Sequence, residues 1–255
     1  MVLKWHTLIP ALTKKERRLV YVYIPDEAEW ESDARYPVLY MFDGHNVFFD
    51  ADATYGKSWG MKEYLEENHV PLIVVGVDCN HHPDNGRLSE YSPYSFSDPR
   101  FGTVTGRGKL YMDWLTGTLK PMIDARYPTI PDREHTWIAG SSMGGLMSLY
   151  AAGAYNRFFS RAAALSPSVW VNGKKLRKLL RTADIGEDTV IYMDYGSREM
   201  RHHDGMAAEF AATVQTLMER GIWINARIVP NGDHCEACWE EQIPFFMETL
   251  FYERN

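Results

Sequence analysis

The residues Gly140-Ser141-Ser142-Met143-Gly144 form the pattern G-x-S-x-G, in which glycines flank a serine two positions away on each side. This pattern makes a turn between a strand and a helix that is too tight for large side chains beside the serine. Thr136–Ala139 before it is typical of a buried strand, and Leu146–Ala152 after it is typical of a helix. The pattern therefore predicts a strained backbone at Ser142 and an exposed hydroxyl that can act as a nucleophile.

A serine hydroxyl needs a base to take its proton, and His234 is the best placed histidine for that role. It follows the last predicted strand, which ends at Val229. Its loop is therefore expected at the carboxyl edge of the sheet, where Ser142 also emerges. The other candidates occur as polar pairs in turn-like segments or just before a strand: His81, His82, His202, His203 and His135.

An acid that orients the imidazole should follow the penultimate predicted strand. Chains in which a G-x-S-x-G turn joins a strand to a helix carry their catalytic residues in the order serine, acid, histidine. Glu199 lies just beyond that strand, at the end of Gly196-Ser197-Arg198-Glu199. Asp204 is an alternative further along the same loop, whereas Asp194 falls within the strand. We therefore predict Glu199 as the acid, with Asp204 left open.

A developing oxyanion needs two N–H donors near the serine. The helix that begins after Ser142 points its N-terminus at the site, and the N–H of Met143 is the first donor. The second is expected from the loop after the strand Tyr36–Phe42, where Gly44 lets the backbone approach the substrate. His45 would supply this donor from its backbone.

Short apolar runs rich in Val, Ile and Tyr alternate with segments of helical period, which is typical of strands that alternate with helices. This order predicts one α/β domain over residues 1–255, an α/β-hydrolase fold with a mostly parallel central sheet, helices on both faces and no large lid domain. The predicted strands are Arg18–Ile24, Tyr36–Phe42, Leu72–Val77, His135–Ala139, Arg161–Leu165, Thr189–Tyr195 and Ile222–Val229. The predicted helices are Ser58–Glu67, Lys109–Tyr127, Gly145–Ala154, Lys174–Leu180, Gly205–Arg220 and Trp239–Glu253. The long segment Asp78–Gly108 has little periodicity, and we interpret it as a functional loop at the carboxyl ends of the strands.

Composition excludes several classes of function. A net charge of −7 disfavours nucleic acid, which requires a concentration of Lys and Arg. The longest apolar runs, such as Leu72–Val77, are too short to cross a bilayer, and the N-terminus carries no apolar core of signal-peptide length. We therefore expect a cytoplasmic protein without nucleic-acid or membrane partners, and the sequence leaves a homo-oligomer open.

Further residues suggest a pocket or a metal. Cys235 and Cys238 lie close to His234, but two cysteines and one histidine make an incomplete zinc set, so we predict packing there and no metal. Four aromatic residues fall in loops or at element ends near the catalytic edge and could line a substrate pocket. They are Trp59, Tyr91, Trp170 and Trp239.

The sequence resembles the putative-esterase family of α/β hydrolases, which includes esterase D, feruloyl esterases, enterobactin-type siderophore esterases and mycolyltransferases. The resemblance spans roughly residues 17–246. It implies Ser142, Glu199 and His234 as a catalytic triad, with the N–H groups of His45 and Met143 as the oxyanion hole. The motifs that carry it are Asp43-Gly44, Val75–Asp78, Arg87, Glu90–Pro93, Leu119–Pro121, Gly140–Gly145, Leu165–Trp170, Gly196–Glu199 and Gly232–His234.

These observations predict a serine esterase that acts on a small-molecule ester through an acyl-enzyme and needs no cofactor. The same triad would serve an acyltransferase if an alcohol outcompeted water. A non-catalytic scaffold that binds carbohydrate through exposed aromatic residues is the alternative from another class. The acyl group, the alcohol and the oligomeric state stay open.

Overall fold

The computed structural model describes residues 1–25, 33–199 and 205–253 of the chain. Strands and helices alternate over most of this part of the chain. The strands are Val2–Leu8 (β1), Arg17–Tyr23 (β2), Val38–Met41 (β3), Ile73–Val77 (β4), Phe96–Asp98 (β5), Gly102–Val104 (β6), Thr136–Ser141 (β7), Arg161–Leu165 (β8), Val190–Gly196 (β9) and Trp223–Val229 (β10). The helices are Pro10–Thr13 (α1), Met61–Glu67 (α2), Gly86–Glu90 (α3), Gly108–Trp114 (α4), Lys120–Arg126 (α5), Met143–Ala154 (α6), Gly173–Thr182 (α7), Met206–Glu219 (α8), Glu236–Glu240 (α9) and Ile243–Leu250 (α10).

Eight of these strands form one sheet in the order β1-β2-β4-β3-β7-β8-β9-β10. The β1–β2 and β2–β4 pairs are antiparallel. All pairs from β4 through β10 are parallel. The carboxyl ends of six strands therefore lie along one edge, and the predicted mostly parallel sheet is confirmed.

Both faces of the sheet are covered. Along β3, Val38 and Tyr40 pack into one apolar cluster with residues of α4 to α8, whereas Leu39 and Met41 pack into another with residues of α2, α9 and α10. Because successive side chains of a strand point to opposite faces, this alternation shows that helices lie on both sides, as predicted. No described helix has both the length and the apolar character that spanning a bilayer requires.

The secondary structure differs from the prediction in several places. Helix α1 and strand β1 were not predicted; along β1, at the sheet edge, half-buried residues alternate with exposed ones such as Lys4 and His6. The long segment predicted as a loop contains α3 and the β5–β6 hairpin. The last predicted helix is two helices, since Pro244 lies in the first turn of α10, where a missing N–H is tolerated, and would disrupt a continuous helix.

The segment between β4 and α4 is fixed to the sheet by a buried ion pair. The guanidinium of Arg18, on β2, donates to both carboxylate oxygens of Glu90 at 2.7 and 2.9 Å. Arg18 also donates to the carbonyl of Asp78 at 2.9 Å. Arg18 therefore holds the start of this segment, at Asp78, and the end of α3, at Glu90. Removal of Arg18 or of Glu90 would leave an uncompensated buried charge.

The loop after β3 approaches the end of β4, where the next loop begins, through two glycines. A Cβ added at Gly44 would lie 2.4 Å from the carbonyl carbon of Gly76 and 2.6 Å from the nitrogen of Val77. Real Cβ atoms do not occupy such positions, so the side-chain-free backbone at Gly44 sets the distance between these two loops.

We expect Gly44→Ala to lower the free energy of unfolding by about 1–3 kcal/mol, because the new methyl group must push two backbones apart. Chemical denaturation followed by circular dichroism measures this. Gly117→Ala is the matched control, since a Cβ there meets no atom within 4 Å. A Gly44→Ala protein as stable as the Gly117→Ala protein would contradict the proposed close approach.

Candidate active site

Ser142 lies at the junction of β7 and α6 in an uncommon backbone conformation. Its φ is 58° and its ψ is −119°, a region that costs a non-glycine residue about 1–3 kcal/mol. A Cβ at Gly140 would lie 2.8 Å from the carbonyl carbon of Gly144, which explains the glycines on both sides of the turn. The backbone N–H of Ser142 donates to the carbonyl of Leu165 at 2.9 Å, so the turn is also held by β8.

The Ser142 side chain faces two adjoining cavities. The larger has a volume of about 690 Å³ and the smaller about 420 Å³, and both are bordered by Ser142 and His234. Among the described residues, the hydrogen-bond partner of the Ser142 hydroxyl is Ser168 Oγ, 3.5 Å away. In the part of the chain that the structure describes, Ser142 and His234 make no hydrogen bond with each other; hydrogen bonds between a nucleophile and its base are often long before substrate binds.

His234 and Glu199 form a close pair. The Nδ1 atom of the imidazole lies 2.5 Å from Oε2 of the carboxylate. The Glu199 side chain is 2 % exposed, whereas that of His234 is 35 % exposed. The buried carboxylate can hold the ring with its Nε2 atom free to face the cavities. The alternative acid, Asp204, lies outside the described residues.

The second oxygen of Glu199 is held by the strands beside it. Its Oε1 atom accepts hydrogen bonds from Ser166 Oγ at 2.5 Å and from the Gly196 N–H at 2.7 Å. Ser166 Oγ in turn accepts a hydrogen bond from Trp239 Nε1 at 3.0 Å. Sequence reasoning did not identify Ser166, although its Ser-Pro-Ser context directly after a predicted strand was a signal that could have found it.

Asp194 supports the same group from within β9. Its two oxygens accept hydrogen bonds from the Ser166 N–H at 3.0 Å and from the Tyr192 hydroxyl at 2.9 Å. Burial raises the pKa of Asp194 to about 7, and the nearby Glu199 charge acts in the same direction. Asp194 therefore fixes the backbone of Ser166 rather than contacting the imidazole.

The loop after β3 is held by an ion pair. Arg87 donates to both oxygens of Asp43 at 2.6 and 2.7 Å. Burial of the Arg87 guanidinium disfavours its charge, but the Asp43 carboxylate outweighs this effect and raises the pKa of Arg87.

Asp43 has a left-handed φ of 55° and begins the short 3-10 turn Gly44–Asn46. Through this turn His45 borders the larger cavity, whereas Met143 borders the smaller one. Each of the two predicted donor residues therefore borders a cavity that Ser142 also borders.

Two of the four predicted pocket aromatics lie in the core instead. Trp59 is 3 % exposed and packs against Trp239 and Phe246, with ring centroids 5.8 and 6.3 Å apart. Tyr91 is completely buried, and its hydroxyl accepts a hydrogen bond from the Asp43 N–H at 3.1 Å. Neither borders the described cavities. The expectation that they contact substrate is corrected, because core and pocket demand the same apolar side chains.

The other two aromatics do border the cavities. Trp170 lies on the wall of the smaller one. Trp239 lies on the wall of the larger one, with its ring edge-on to His234 at a centroid distance of 5.0 Å.

Cys235 and Cys238 form no disulfide, and Cys238 Sγ accepts a hydrogen bond from the Asp233 N–H at 3.2 Å. That contact fits the predicted packing role for Cys238.

The sequence matches the family model described as "Putative esterase" over residues 12–248. The chain belongs to this esterase family. A protein of Bacillus subtilis, the uncharacterized protein YbbA, is 25 % identical over 218 residues, which cover 82 % of this chain and 81 % of that protein. The siderophore triacetylfusarinine C esterase of Aspergillus fumigatus is 23 % identical over 203 residues, or 74 % of this chain and 67 % of the relative. The chain is a carboxylic ester hydrolase.

Solved structures share the fold of this esterase. An IroE-like serine hydrolase from Shewanella oneidensis superposes with a TM-score of 0.75 at 19 % identity, over 98 % of this chain and 79 % of the other. The siderophore hydrolase EstA from Aspergillus nidulans gives a TM-score of 0.71 at 18 % identity, over 98 % and 95 %. The predicted α/β-hydrolase fold is confirmed, and no large lid is evident in the part of the esterase that the structure describes.

The raised pKa of Asp194 predicts a specific pH dependence of stability. The folded state favours the neutral form of Asp194. Its contribution to the free energy of unfolding is therefore fully present below the unfolded pKa of about 3.9 and is lost as the pH rises through the folded pKa of about 7. Relative to Asp194→Asn, the free energy of unfolding of the parent should therefore fall by about 2 kcal/mol between pH ~5 and pH ~8.

Urea unfolding of both proteins at the two pH values measures this difference. Asp84→Asn, which removes an exposed carboxylate, is the control for the loss of one negative charge. A constant difference between the parent and Asp194→Asn across the pH range would contradict the raised pKa.

Proposed function

We propose that this protein is a serine esterase in which Ser142 is the nucleophile, His234 the general base and Glu199 the orienting acid. The observation that carries the proposal is the 2.5 Å contact between the buried Glu199 carboxylate and His234 Nδ1. Ser142 borders the same two cavities as His234, and its backbone has the strained conformation of a nucleophile elbow. A buried acid, an imidazole and an elbow serine in this chain order are the components of a catalytic triad.

In the first half-reaction, His234 Nε2 removes the proton of the Ser142 hydroxyl while the oxygen attacks the ester carbonyl. The imidazolium then gives this proton to the departing alcohol, which leaves an acyl group on Ser142. In the second half-reaction, His234 takes a proton from water while the water oxygen attacks the acyl carbonyl, and the imidazolium returns that proton to Ser142 Oγ as the bond to the acyl group breaks and the carboxylic acid leaves. Glu199 holds the tautomer and stabilises the imidazolium in both steps.

The backbone N–H groups of His45 and Met143 are the proposed oxyanion hole. Met143 is the first residue of α6, and the first N–H groups of a helix have no partner within it. Negative charge is also favoured at this end of the helix dipole. The ion pair between Arg87 and Asp43 holds the turn that carries His45, so the second donor is set in place before the reaction begins.

The residues that line the smaller cavity favour a substrate with an aromatic group. Ser142 and His234 border it together with Phe101, Trp170 and Tyr195. The Arg100 guanidinium lies 5.4 Å from the Trp170 ring and 5.0 Å from the Phe101 ring, so this wall offers aromatic and cation–π contacts to a planar ring. Among the structures that share the fold is a ferulic acid esterase, with a TM-score of 0.66 at 18 % identity. We therefore place aryl esters first in a substrate panel, ahead of short alkyl esters.

The nucleophile is testable because a second hydroxyl, that of Ser168, lies 3.5 Å from Ser142 Oγ. We expect Ser142→Ala to lower kcat by at least about 10³-fold, since the acyl-enzyme can no longer form. Ser168→Ala should retain most of the activity. Turnover of aryl and alkyl p-nitrophenyl esters measures both. Mass spectrometry after treatment with a sulfonyl fluoride should locate the adduct on Ser142, and an adduct on Ser168 instead would refute the assignment.

The acid is testable by a pair of matched variants. Glu199→Gln should lower kcat by about 10²- to 10⁴-fold, because the amide cannot stabilise the imidazolium. Asp204→Asn should leave kcat within about threefold of the parent. Steady-state kinetics with unfolding curves for both proteins distinguishes a catalytic defect from a folding defect. The opposite ranking would make Asp204 the acid.

A further inference from the structure

Four metal-ligating side chains lie together at the carboxyl ends of β3 and β4. They are His45 after β3, and Asp78, Cys79 and His81 after β4. One ligating atom from each lies within 4.8 Å of all the others. The serine mechanism uses none of these side chains, since His45 contributes only its backbone.

Asp78 is the centre of this cluster. Its Oδ1 atom lies 2.6 Å from His45 Nδ1 and 2.7 Å from His81 Nε2. Cys79 Sγ lies 4.0 Å from His81 Nδ1. One carboxylate oxygen therefore lies at the centre of the cluster.

The imidazole of His45 has an unusual environment. Its side chain is 8 % exposed, and Nδ1 has no hydrogen-bond partner among the described residues despite its closeness to Asp78, because the two are poorly aligned for a hydrogen bond. Its Nε2 atom lies 2.9 Å from Thr54 Oγ1. If Nε2 carries the proton and donates it to Thr54, the lone pair of Nδ1 faces a carboxylate oxygen. A cation bound to both atoms would replace this repulsion with two bonds, and the atoms would move apart to the roughly 3.3 Å that separates two ligands of a tetrahedral zinc ion.

The surroundings supply the contacts that metal ligands need. A ligating histidine usually has its other ring nitrogen hydrogen-bonded, and Thr54 does this for His45. The Cys79 N–H donates to Asp78 Oδ1 at 2.8 Å and fixes the carboxylate. The Gly44–Gly76 approach sets the distance between the two loops. His81 is 60 % exposed, so its side chain can adjust as an ion enters from the larger cavity.

We propose that His45, Asp78, Cys79 and His81 form a binding site for a divalent transition metal ion of the zinc class. Two imidazoles, one thiolate and one carboxylate are a donor set that zinc accepts in tetrahedral geometry. Calcium and magnesium require oxygen donors and do not fit it. The ion would bridge the loops after β3 and β4 on the wall of the cavity that contains Ser142.

Cobalt(II) is the probe, because its visible absorption reports both the geometry of the site and a bond to sulfur. Full-length protein is treated with a chelator, desalted and titrated with Co²⁺, and Zn²⁺ is then added in competition. The parent should bind one Co²⁺ per chain, with a thiolate charge-transfer band that Zn²⁺ abolishes. Binding tighter than about 1 μM is expected for Zn²⁺, together with a higher melting temperature.

Three variants locate the site. His81→Gln should weaken Zn²⁺ binding at least about tenfold, and it should leave the fold intact because the His81 side chain is 60 % exposed. His82→Gln, at the neighbouring exposed histidine, should bind like the parent. Cys79→Ser should remove the charge-transfer band.

The proposal is wrong if the parent binds Zn²⁺ no more tightly than about 1 μM. It is also wrong if binding survives unchanged in His81→Gln and Cys79→Ser, and loss of that binding in Cys238→Ser would then place the ion beside His234. These measurements do not use ester turnover, so they stand apart from the test of Ser142.

Discussion

The buried carboxylate of Glu199 is the constraint on which the geometry of the site depends. It accepts hydrogen bonds from Ser166 after β8 and from Gly196 at the end of β9, and it pairs with His234 after β10. Three neighbouring strand ends are thereby tied to one charge. Because a buried carboxylate that loses its partners is costly, none of these loops can move independently without a penalty of several kcal/mol.

The sheet supplies this constraint with its framework. Parallel pairing from β4 to β10 brings successive loops to one edge, and burial on both faces fixes the register of the central strands. Ser142 rises from this edge because the β7–α6 turn has no room for side chains at Gly140 and Gly144. Local backbone strain at the serine is therefore maintained by packing that extends over the whole sheet.

Much of this could be predicted from sequence, because the relevant signals are local. The central strands are continuous apolar runs, the elbow is a pentapeptide, and the chain order of serine, acid and histidine follows from the fold. The pairing of Glu199 with His234 agrees with that order, whereas its catalytic role stays a prediction.

What escaped prediction depends on contacts between distant segments. Ser166 acquires its role from Glu199 and Trp239, which lie 33 and 73 residues away. Trp59 could not be assigned to the core rather than to a pocket, since both environments are apolar. The imidazole of His45 meets Asp78 only because two loops converge, and neither loop signals this by itself.

The double anchorage of the segment between β4 and α4 has a consequence for how substrate range can change. Arg18 holds this segment through Glu90, and Arg87 within it holds the β3 turn through Asp43. Both ion pairs hold the short helix α3, so moving this helix away from the sheet would separate two ion pairs that are largely buried. We therefore expect substrate range to change through exchange of the residues that line the cavities rather than through displacement of α3.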